Sequence, residues 1–199
     1  GVRGIKLAKK GDGVVSMAIL NEARIAIERR EEYLKIPIEV RLQFIEDSDS
    51  EKFNTVFSKL EVVTNLSFDE AVTLAKLEQF ILSITENGYG KRTSAYEYRI
   101  TGRGGQGVLN IDTSERNGSV VASFPVKDKD QVMLMTNAGT LIRTKVSNIR
   151  ITGRNAMGVK LIDSKDKEKV ISATRIISEA EDNPSEESED LPALENERN

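Results

Sequence analysis

The chain has 199 residues, of which 31% are charged, and a formal net charge of −3. It contains no cysteine and no histidine, which excludes disulfides, thiolate metal sites and the commonest general base. No stretch approaches the ~18 uncharged apolar residues of a membrane span and no signal-peptide pattern opens the chain, so we expect a cytoplasmic protein without a membrane partner.

Residues 1–20 belong to a sequence unit that returns later in the chain. The heptapeptide G-V-R-G-I-K-L at 1–7 aligns with G-V-L-N-I-D-T at 107–113, at an offset of 106 residues. The same offset places the two valines at 14–15 on the two valines at 120–121. We therefore predict that residues 1–20 form the second half of a propeller-like blade.

Residues 21–79 interrupt the repeat as an acidic insertion. Later units lie 51 residues apart, so the offset of 106 leaves an excess of 55 residues. Residues 21–34 are rich in helix formers and predict a helix. Residues 38–45 alternate apolar with polar side chains, which predicts a strand. The sequence S-F-D-E at 67–70 is a capping box that predicts a second helix over 71–80. We interpret the insertion as a partly helical decoration on one face of the array.

Residues 80–130 and 131–177 are two complete units. Over 81–126, 14 positions are identical to the residue 51 places later, and R-I-T-G-R at 99–103 returns unchanged at 150–154. A repeat of this length is typical of propeller blades. We predict four strands in each unit, over 80–85, 96–100, 107–111 and 120–124 in the first and over 132–136, 146–151, 158–162 and 170–174 in the second.

The predicted fold is therefore mainly β, a partial propeller-like array of four-stranded blades with a partly helical insertion. About two and a half blades are too few to close a propeller, which typically has about 4–8 blades. The tail at 178–199 is a low-complexity acidic run and is predicted to be disordered. We interpret it as a solubilising tail, with the alternative that it competes with nucleic acid for a basic surface.

Charge is distributed unevenly between the repeated units and the two additions. Residues 1–20 and 80–176 carry net charges of +3 and +7, whereas 21–79 and 177–199 carry −5 and −8. This asymmetry predicts a polyanionic partner for the units. Basic residues recur at equivalent positions of the units, which favours contacts with a phosphate backbone over reading of bases. Because only 5% of residues are aromatic, base stacking is disfavoured and duplex DNA is the preferred partner.

No catalytic motif is recognisable in the sequence. There is no Walker A motif and no G-x-S-x-G elbow, and a triad cannot form without histidine or cysteine. Tyr89 and Tyr96 have Thr140 and Ser147 as repeat equivalents, which indicates framework positions rather than a nucleophile. The glycine-rich G-R-G-G-Q-G at 102–107 is similar to a phosphate loop, but its equivalent lacks the middle glycines, which favours a connecting turn. We expect no catalytic, cofactor-binding or metal-binding residue in this chain.

The repeated motifs resemble the C-terminal domain family of the DNA gyrase A subunit. The resemblance covers 1–20 and 80–176, and that family folds as a six-bladed β-pinwheel with strands exchanged between blades. It implies a partial β-pinwheel that binds and wraps duplex DNA around a cationic rim, without sequence specificity. The family's hallmark box, Q-R-R-G-G-(K/R)-G, is missing. Four motifs carry the resemblance in the family's order and spacing: E-N-G-Y-G-K-R-T at 86–93, R-I-T-G-R-G-G-Q-G-V at 99–108, M-L-M-T-N-A-G-T-L-I-R at 133–143 and G-R-N-A-M-G-V at 153–159.

The resemblance also implies a parent protein and its partners. The parent is expected to be an ATP-hydrolysing type IIA DNA topoisomerase, which supercoils DNA negatively in the bacterial cytoplasm, associated with the nucleoid. There the chain would work in a heterotetramer with the gyrase B subunit, together with the rest of the A subunit, while ATP and Mg would bind on other domains or subunits. The family implies DNA-binding rim positions at Arg3, Lys6, Lys91, Arg92, Arg99, Arg103, Arg143, Lys145, Arg150 and Arg154.

Two alternatives remain open at the level of sequence. The C-terminal domain of the topoisomerase IV A subunit has fewer blades and degenerate boxes, whereas the clear blade signals here favour gyrase. A propeller-like protein-interaction scaffold, with the acidic insertion as its docking element, is the alternative from a different functional class. The salt dependence of DNA binding would separate the scaffold from a DNA-wrapping domain.

Overall fold

The computed structural model describes residues 1–21, 25–46, 64–163 and 168–178. The predicted disordered tail at 178–199 lies outside these residues, apart from Ser178. A short 3-10 helix follows the second strand of each unit, at Ala95–Glu97 and Val146–Asn148. The described helices and strands are α1 (Ile27–Leu34), α2 (Ile38–Glu46), α3 (Phe68–Leu77), β1 (Phe80–Thr85), β2 (Tyr89–Ser94), β3 (Val120–Val126), β4 (Gln131–Thr136), β5 (Leu141–Lys145), β6 (Val159–Lys160) and β7 (Val170–Ile176).

The sequence repeat is also a structural repeat. The first unit forms an antiparallel sheet in the order β3-β1-β2-β6, and the second forms a sheet in the order β5-β4-β7. Both central strands shift register at equivalent places, between Ile84 and Thr85 in β1 and between Met135 and Thr136 in β4. The prediction of a mainly β fold is thereby confirmed.

Each hairpin turns at a glycine with a positive φ angle. Gly88 has φ +79° and Gly139 has φ +83°, a conformation that L residues with a side chain rarely adopt. The amide of Gly88 donates to the carbonyl of Thr85, and the amide of Gly139 donates to that of Thr136. The sequences E-N-G at 86–88 and N-A-G at 137–139, which follow the predicted strands over 80–85 and 132–136, therefore form two equivalent tight turns.

The second strand of each unit lies earlier than the sequence predicts. The alternating patterns predict strands over 96–100 and 146–151, but β2 and β5 begin directly after the glycine turns. A tight turn makes the return strand start at once, and Ser94 already faces Phe80, the first residue of β1. Because no residue of β1 remains opposite the chain beyond Ser94, the next three residues form the 3-10 helix instead.

The third predicted strand does not form in the first unit. In the second unit it is short and pairs with the sheet of the first unit. The range 107–111 contains no strand, and of 158–162 only β6 pairs. β6 belongs to the second unit but hydrogen-bonds to β2 of the first, with Tyr89 opposite Lys160. The two units are thus joined by strand exchange, and the second sheet has three strands rather than four in the described residues.

The segment 38–45 is helical, not extended as predicted. The carbonyl of Pro37 accepts hydrogen bonds from the amides of Val40 and Arg41, both at 3.0 Å, so the proline lies directly before α2 and binds its first turn. Val40 and Phe44 are buried, and their spacing of four residues places them on one helical face. A short apolar-polar alternation is compatible with both a helix and a strand. The helix forms here because it buries these side chains against α1 and α3.

The other two predicted helices form with different bounds. The capping box is present, because Ser67 Oγ accepts the amide of Glu70 and Glu70 Oε2 accepts the amide of Ser67. α3 ends at Leu77 rather than at residue 80, since Glu78 adopts an extended backbone. α1 begins at Ile27, and residues 22–24 of its predicted span lie outside the described residues.

Two apolar clusters hold the chain together. One contains the buried residues of the three helices together with Tyr96 of the first unit, and the other lies between the two sheets. Tyr33 packs edge-on against Tyr96 with ring centroids 5.6 Å apart, and Tyr96 Oη donates to the carbonyl of Leu74. The insertion is therefore packed onto the first blade rather than tethered beside it.

Residues 1–21 run along the first unit and form one isolated bridge, between Ile5 and Gly105. Their assignment to an earlier blade stays a prediction. Ser16 Oγ donates to the carbonyl of Ser123, which holds the segment near β3. Among the described helices, none has the length and apolar character that a membrane crossing requires.

Candidate nucleic-acid interface

The cations predicted for DNA binding divide into a surface group and a buried pair. Seven are exposed and Arg154 is half-buried, whereas Lys91 and Arg92 are buried. The surface group is Arg3, Lys6, Arg99, Arg103, Arg143, Lys145, Arg150 and Arg154.

Arg3, Lys6 and Arg103 are brought together by backbone pairing. The amide of Gly104 donates to the carbonyl of Gly4 at 2.9 Å, and the amide of Lys6 donates to the carbonyl of Gly105 at 2.8 Å. The glycine-rich segment 102–107 is thus a turn that holds the N-terminal segment, as the connecting-turn interpretation predicts. Arg3, Lys6 and Arg103 are all exposed, and they form a cationic cluster where the N-terminal segment meets the first unit.

The second unit presents Arg150 and Arg154 on the segment after its 3-10 helix. Arg150 is exposed, while Arg154 is held by three contacts. Its amide donates to Glu97 Oε2 at 2.9 Å, its Nη1 donates to the carbonyl of Leu109 at 3.0 Å, and its guanidinium lies 6.0 Å from the centre of the Tyr98 ring. Arg154 is therefore a fixed rather than a freely moving cation.

Arg143 and Lys145 point from the same face of β5. Residues along β5 alternate between exposed and half-buried, and Leu141, Arg143 and Lys145 are the exposed ones. Arg143 Nε donates to Gln131 Oε1 at 2.6 Å, which orients its guanidinium along the sheet. These two cations form an exposed row on the second sheet.

Lys91 and Arg92 do not lie on the surface that the sequence predicts for them. Lys91 is 0% exposed, and its Nζ donates to the carbonyls of Gly153 and Arg154 at 2.6 and 2.5 Å. Burial lowers the pKa of Lys91 to about 8. Arg92 is 5% exposed and pairs with Asp128 at 2.7 Å. Both side chains bind protein groups, so we withdraw them from the DNA-contacting set.

Arg116 is an exposed cation that the sequence pattern did not single out. Its guanidinium lies 4.3 Å from the centre of the Tyr89 ring, a cation–π distance. Its repeat equivalent is Lys167, which lies outside the described residues. A basic residue at the same place in both units is the signal that could have identified Arg116.

The surface cations are free of ion pairs within the described part of the chain. Two other exposed lysines are neutralised, because Lys160 pairs with Asp163 and Lys169 pairs with Glu86. None of the eight surface candidates forms a salt bridge with a described carboxylate. Their positive charge is therefore available to an external anion.

Tyr33, Tyr96 and Tyr98 belong to the packing framework of the insertion and the first unit. Tyr33 donates to Glu78 Oε2, Tyr96 donates to Leu74, and Tyr98 donates to Asn110. Burial raises the pKa of Tyr98 to about 12. These contacts stabilise protonated phenols, which are poor nucleophiles at neutral pH. Among the described residues, no group of acidic side chains is arranged to hold a metal ion.

Comparison with known proteins places the units in a defined family. The model of the DNA gyrase C-terminal domain, described as a beta-propeller, matches residues 1–21, 79–127 and 130–176. It leaves out 22–78, which coincides closely with the predicted insertion. The solved DNA gyrase A C-terminal domain matches with a TM-score of 0.47 and 26% identity, over 50% of this chain and 34% of that one.

Curated relatives match nearly the whole chain. The DNA gyrase A subunit of Rickettsia prowazekii (strain Madrid E) is 47% identical over 191 residues, which are 96% of this chain and 20% of the relative. The corresponding protein of Granulibacter bethesdensis is 42% identical, over 91% of this chain and 20% of the relative. That of Haemophilus influenzae is 40% identical, over 94% and 18%. The chain thus spans about a fifth of the length of these relatives.

Proposed function

Because the chain belongs to the DNA gyrase C-terminal domain family, we propose that it binds duplex DNA and wraps it as the C-terminal part of a gyrase A subunit. The observation that carries the proposal is the set of eight surface cations without acidic partners in the described residues. Four of them, Arg99, Arg103, Arg150 and Arg154, occupy equivalent places in the two units. A repeated row of cations on a series of blades suits a polyanion that is itself a regular rod.

The cations would contact phosphates rather than bases. Guanidinium and ammonium groups on loops and on one exposed strand can bind phosphate oxygens without entering a groove. The described residues of the repeated units contain no α-helix that could lie in the major groove, since α1, α2 and α3 belong to the insertion. The binding is therefore independent of sequence, and its free energy comes largely from release of counterions.

Wrapping follows when cations on successive blades engage one duplex. Each unit offers its own cations, with Arg99 and Arg103 in the first unit and Arg150 and Arg154 in the second. A duplex that binds both sets must follow the turn from blade to blade, and the additional phosphate interactions offset its bending energy of a few kcal/mol. The handedness of the blade array would then fix the handedness of the wrapped DNA.

In the complete enzyme, the wrapped segment would be presented for strand passage. The activity belongs to the heterotetramer of the A and B subunits of gyrase, which introduces negative supercoils with ATP and Mg bound on other domains or subunits. This chain would supply only the wrapped DNA, in the bacterial cytoplasm. The names of the relatives at 40–47% identity favour gyrase over topoisomerase IV for the parent protein.

A topology assay tests the proposal directly. Relaxed plasmid is incubated with this 199-residue chain, closed by a ligase or a type I topoisomerase, and its linking number is measured. Wrapping predicts a shift that grows with the amount of bound protein. Binding that saturates at low salt without any shift would contradict wrapping, and weak binding at every salt concentration would favour the protein-interaction scaffold.

A matched pair of variants ties the binding to the surface cations. Lys145→Gln removes an exposed cation without an acidic partner in the described residues, whereas Lys169→Gln removes one that pairs with Glu86 at 3.0 Å. We expect Lys145→Gln to lower DNA affinity at least twice as much as Lys169→Gln. Equal effects would indicate binding by overall charge rather than by this surface.

A further inference from the structure

The same pentapeptide, R-I-T-G-R, has two different environments in this chain. At 99–103 all five residues are exposed, and Ile100 is 80% exposed. At 150–154 the isoleucine, the threonine and the last arginine are half-buried. The sequence is identical, so the difference must come from residues that contact the second copy.

Those residues are three consecutive side chains of β2, namely Lys91, Arg92 and Thr93, which we call the β2 clasp. Lys91 Nζ donates to the carbonyls of Gly153 and Arg154. Thr93 Oγ1 donates to the carbonyl of Thr152 at 3.0 Å. The pentapeptide thus has three of its carbonyls bound by two side chains from the preceding blade.

Backbone pairing and Arg92 complete the clasp. The amide of Arg92 donates to the carbonyl of Arg150 at 3.0 Å, and the amide of Thr152 donates to the carbonyl of Arg92 at 2.9 Å. The Arg92 side chain reaches the residues just before the pentapeptide, where Nε donates to the carbonyl of Ile149 at 2.6 Å. Every residue of the clasp therefore holds the segment that carries Arg150 and Arg154.

The second unit shows that the hairpin itself does not need the clasp. At the equivalent places, β5 has Ile142, Arg143 and Thr144. Arg143 is exposed and bonds to Gln131 of its own sheet. β5 pairs with β4 in the same register as β2 with β1. A buried lysine is therefore not required for this strand to form, and its presence in β2 needs another reason.

We infer that Lys91 is a positioning residue, which with Arg92 and Thr93 fixes the cationic pentapeptide of the next blade and so sets the path of wrapped DNA. The inference rests on the proposed function. Without Lys91, the carbonyls of Gly153 and Arg154 lose their buried donor, and the segment that carries Arg150 and Arg154 is held by fewer hydrogen bonds. Binding would continue, because Lys91 is buried and its own charge does not reach the DNA.

The test converts the clasp into the sequence that the chain itself uses in β5. In Lys91→Ile, we expect faster hydrogen exchange at the amides of Thr152 and Arg154, with unchanged exchange in β1 and β3. We expect DNA affinity at low salt to change less than threefold, while the linking-number shift per bound chain falls by at least half. Unchanged exchange at these amides, or an unchanged linking-number shift, would overturn the inference.

A second pair of variants keeps the test valid if Lys91→Ile does not fold. Thr93→Val removes one hydrogen bond of the clasp without a change in charge or volume, and Thr144→Val makes the same change at the equivalent place in β5. Only Thr93→Val should increase exchange at the pentapeptide and reduce the linking-number shift. Equal behaviour of the two variants contradicts the clasp.

The two proposals fail in different ways. If the unmodified chain binds DNA but produces no linking-number shift, the proposed wrapping is wrong, and hydrogen exchange still reports whether the clasp holds the pentapeptide. If the unmodified chain shifts the linking number and Lys91→Ile shifts it equally, the wrapping stands and the positioning role of Lys91 is wrong.

Discussion

At the scale of single residues, a charge in the sequence does not reveal where its side chain lies. Lys91 and Arg92 are basic residues of the kind that contact DNA phosphates, yet both side chains donate to carbonyl oxygens inside the protein. A buried ammonium loses hydration, and only short hydrogen bonds to good acceptors make its burial tolerable. The exposed cations are available to an external anion, whereas Lys91 and Arg92 hold the segment that carries the exposed Arg150.

The buried ammonium predicts a pH dependence of stability. Because burial lowers the pKa of Lys91 from 10.5 to about 8, the unfolded chain binds more protons than the native one between these values. The free energy of unfolding should therefore rise with pH in this window, by at most about 1.4 kcal/mol per pH unit from this residue.

Urea denaturation from pH 7 to 9.5 checks this prediction. Lys91→Ile should lack the rise that the unmodified chain shows, and the range ends below the pKa of about 10 at which exposed tyrosines of the unfolded chain titrate. Parallel pH profiles for the two proteins would show that Lys91 keeps its charge in the native state at no penalty.

The two turn glycines provide a matched pair for a second prediction. Gly88 and Gly139 share a positive φ, but a Cβ at Gly88 would lie 2.3 Å from Ile162 Cγ2, whereas a Cβ at Gly139 meets nothing within 4 Å. Gly139→Ala should lower the free energy of unfolding by about 1 kcal/mol from backbone strain alone. Gly88→Ala should lower it by about 3 kcal/mol, since steric overlap with the exchanged segment is added.

Thermal or urea unfolding of the two alanine variants measures this difference. The comparison is internal, because both substitutions add the same atoms to equivalent turns. Equal losses of stability would mean that Ile162 does not pack on the turn as the structure shows.

At the scale of elements, the insertion is joined to the first blade by a buried polar cluster. Arg41 of α2 pairs with Glu78 at 2.5 Å, and Glu78 also accepts from Tyr33 of α1 at 2.9 Å. Burial is the main cause that raises the pKa of Glu78. The pair lies where α3 passes into β1, so helices and sheet share one ionic contact.

Removal of the arginine from this cluster should be strongly destabilising. Arg41→Met leaves the buried carboxylate of Glu78 without its cation, which we expect to lower the free energy of unfolding by about 3–5 kcal/mol. Arg29→Met breaks the exposed pair with Glu70 and should lower it by less than about 1 kcal/mol.

Denaturation of both methionine variants and of the double variant Arg41→Met/Glu78→Gln tests the cluster. The double variant should recover part of the loss, because a neutral amide is easier to bury than an unpaired carboxylate. Similar losses for Arg41→Met and Arg29→Met would mean that the Arg41–Glu78 pair is as solvated as a surface pair.

At the scale of the whole molecule, positive charge is presented by several blades and negative charge by the additions. If all eight surface cations contact phosphates, a plot of the logarithm of DNA affinity against the logarithm of salt concentration should have a slope of about −7. Removal of one contact, as in Arg99→Gln, should make the slope shallower by about 0.9.

Titrations of a labelled duplex at several salt concentrations give these slopes. Arg175→Gln is the control, because Arg175 is bound to Asp130 at 2.6 Å and lies outside the surface group. A slope that Arg99→Gln and Arg175→Gln change equally would show that phosphate contacts are not confined to the surface cations.

Much of the fold could be predicted from the sequence, because two aligned copies of one unit indicate the same strands and turns twice. The strands β1, β3, β4 and β7 lie at or near their predicted positions, and the glycine turns and the capping box of α3 are present. The wrong predictions concern segments whose pairing strand is far away in the sequence or is not present in the described residues. The return strands lie earlier than predicted, the third strands are shorter, and α2 is helical instead of extended, since short alternating runs do not distinguish the two periods.

The sequence by itself determined the repeated unit, its turns and the separation of positive from negative segments, because these depend on residue types and spacing alone. Only the tertiary structure decided which cations face outward. The identical pentapeptides at 99–103 and 150–154 differ in burial because β2 contacts the second one, roughly 60 residues away along the chain. Burial depends on such long-range contacts, and for that reason Lys91 and Arg92 lie beneath the proposed DNA-binding surface instead of on it.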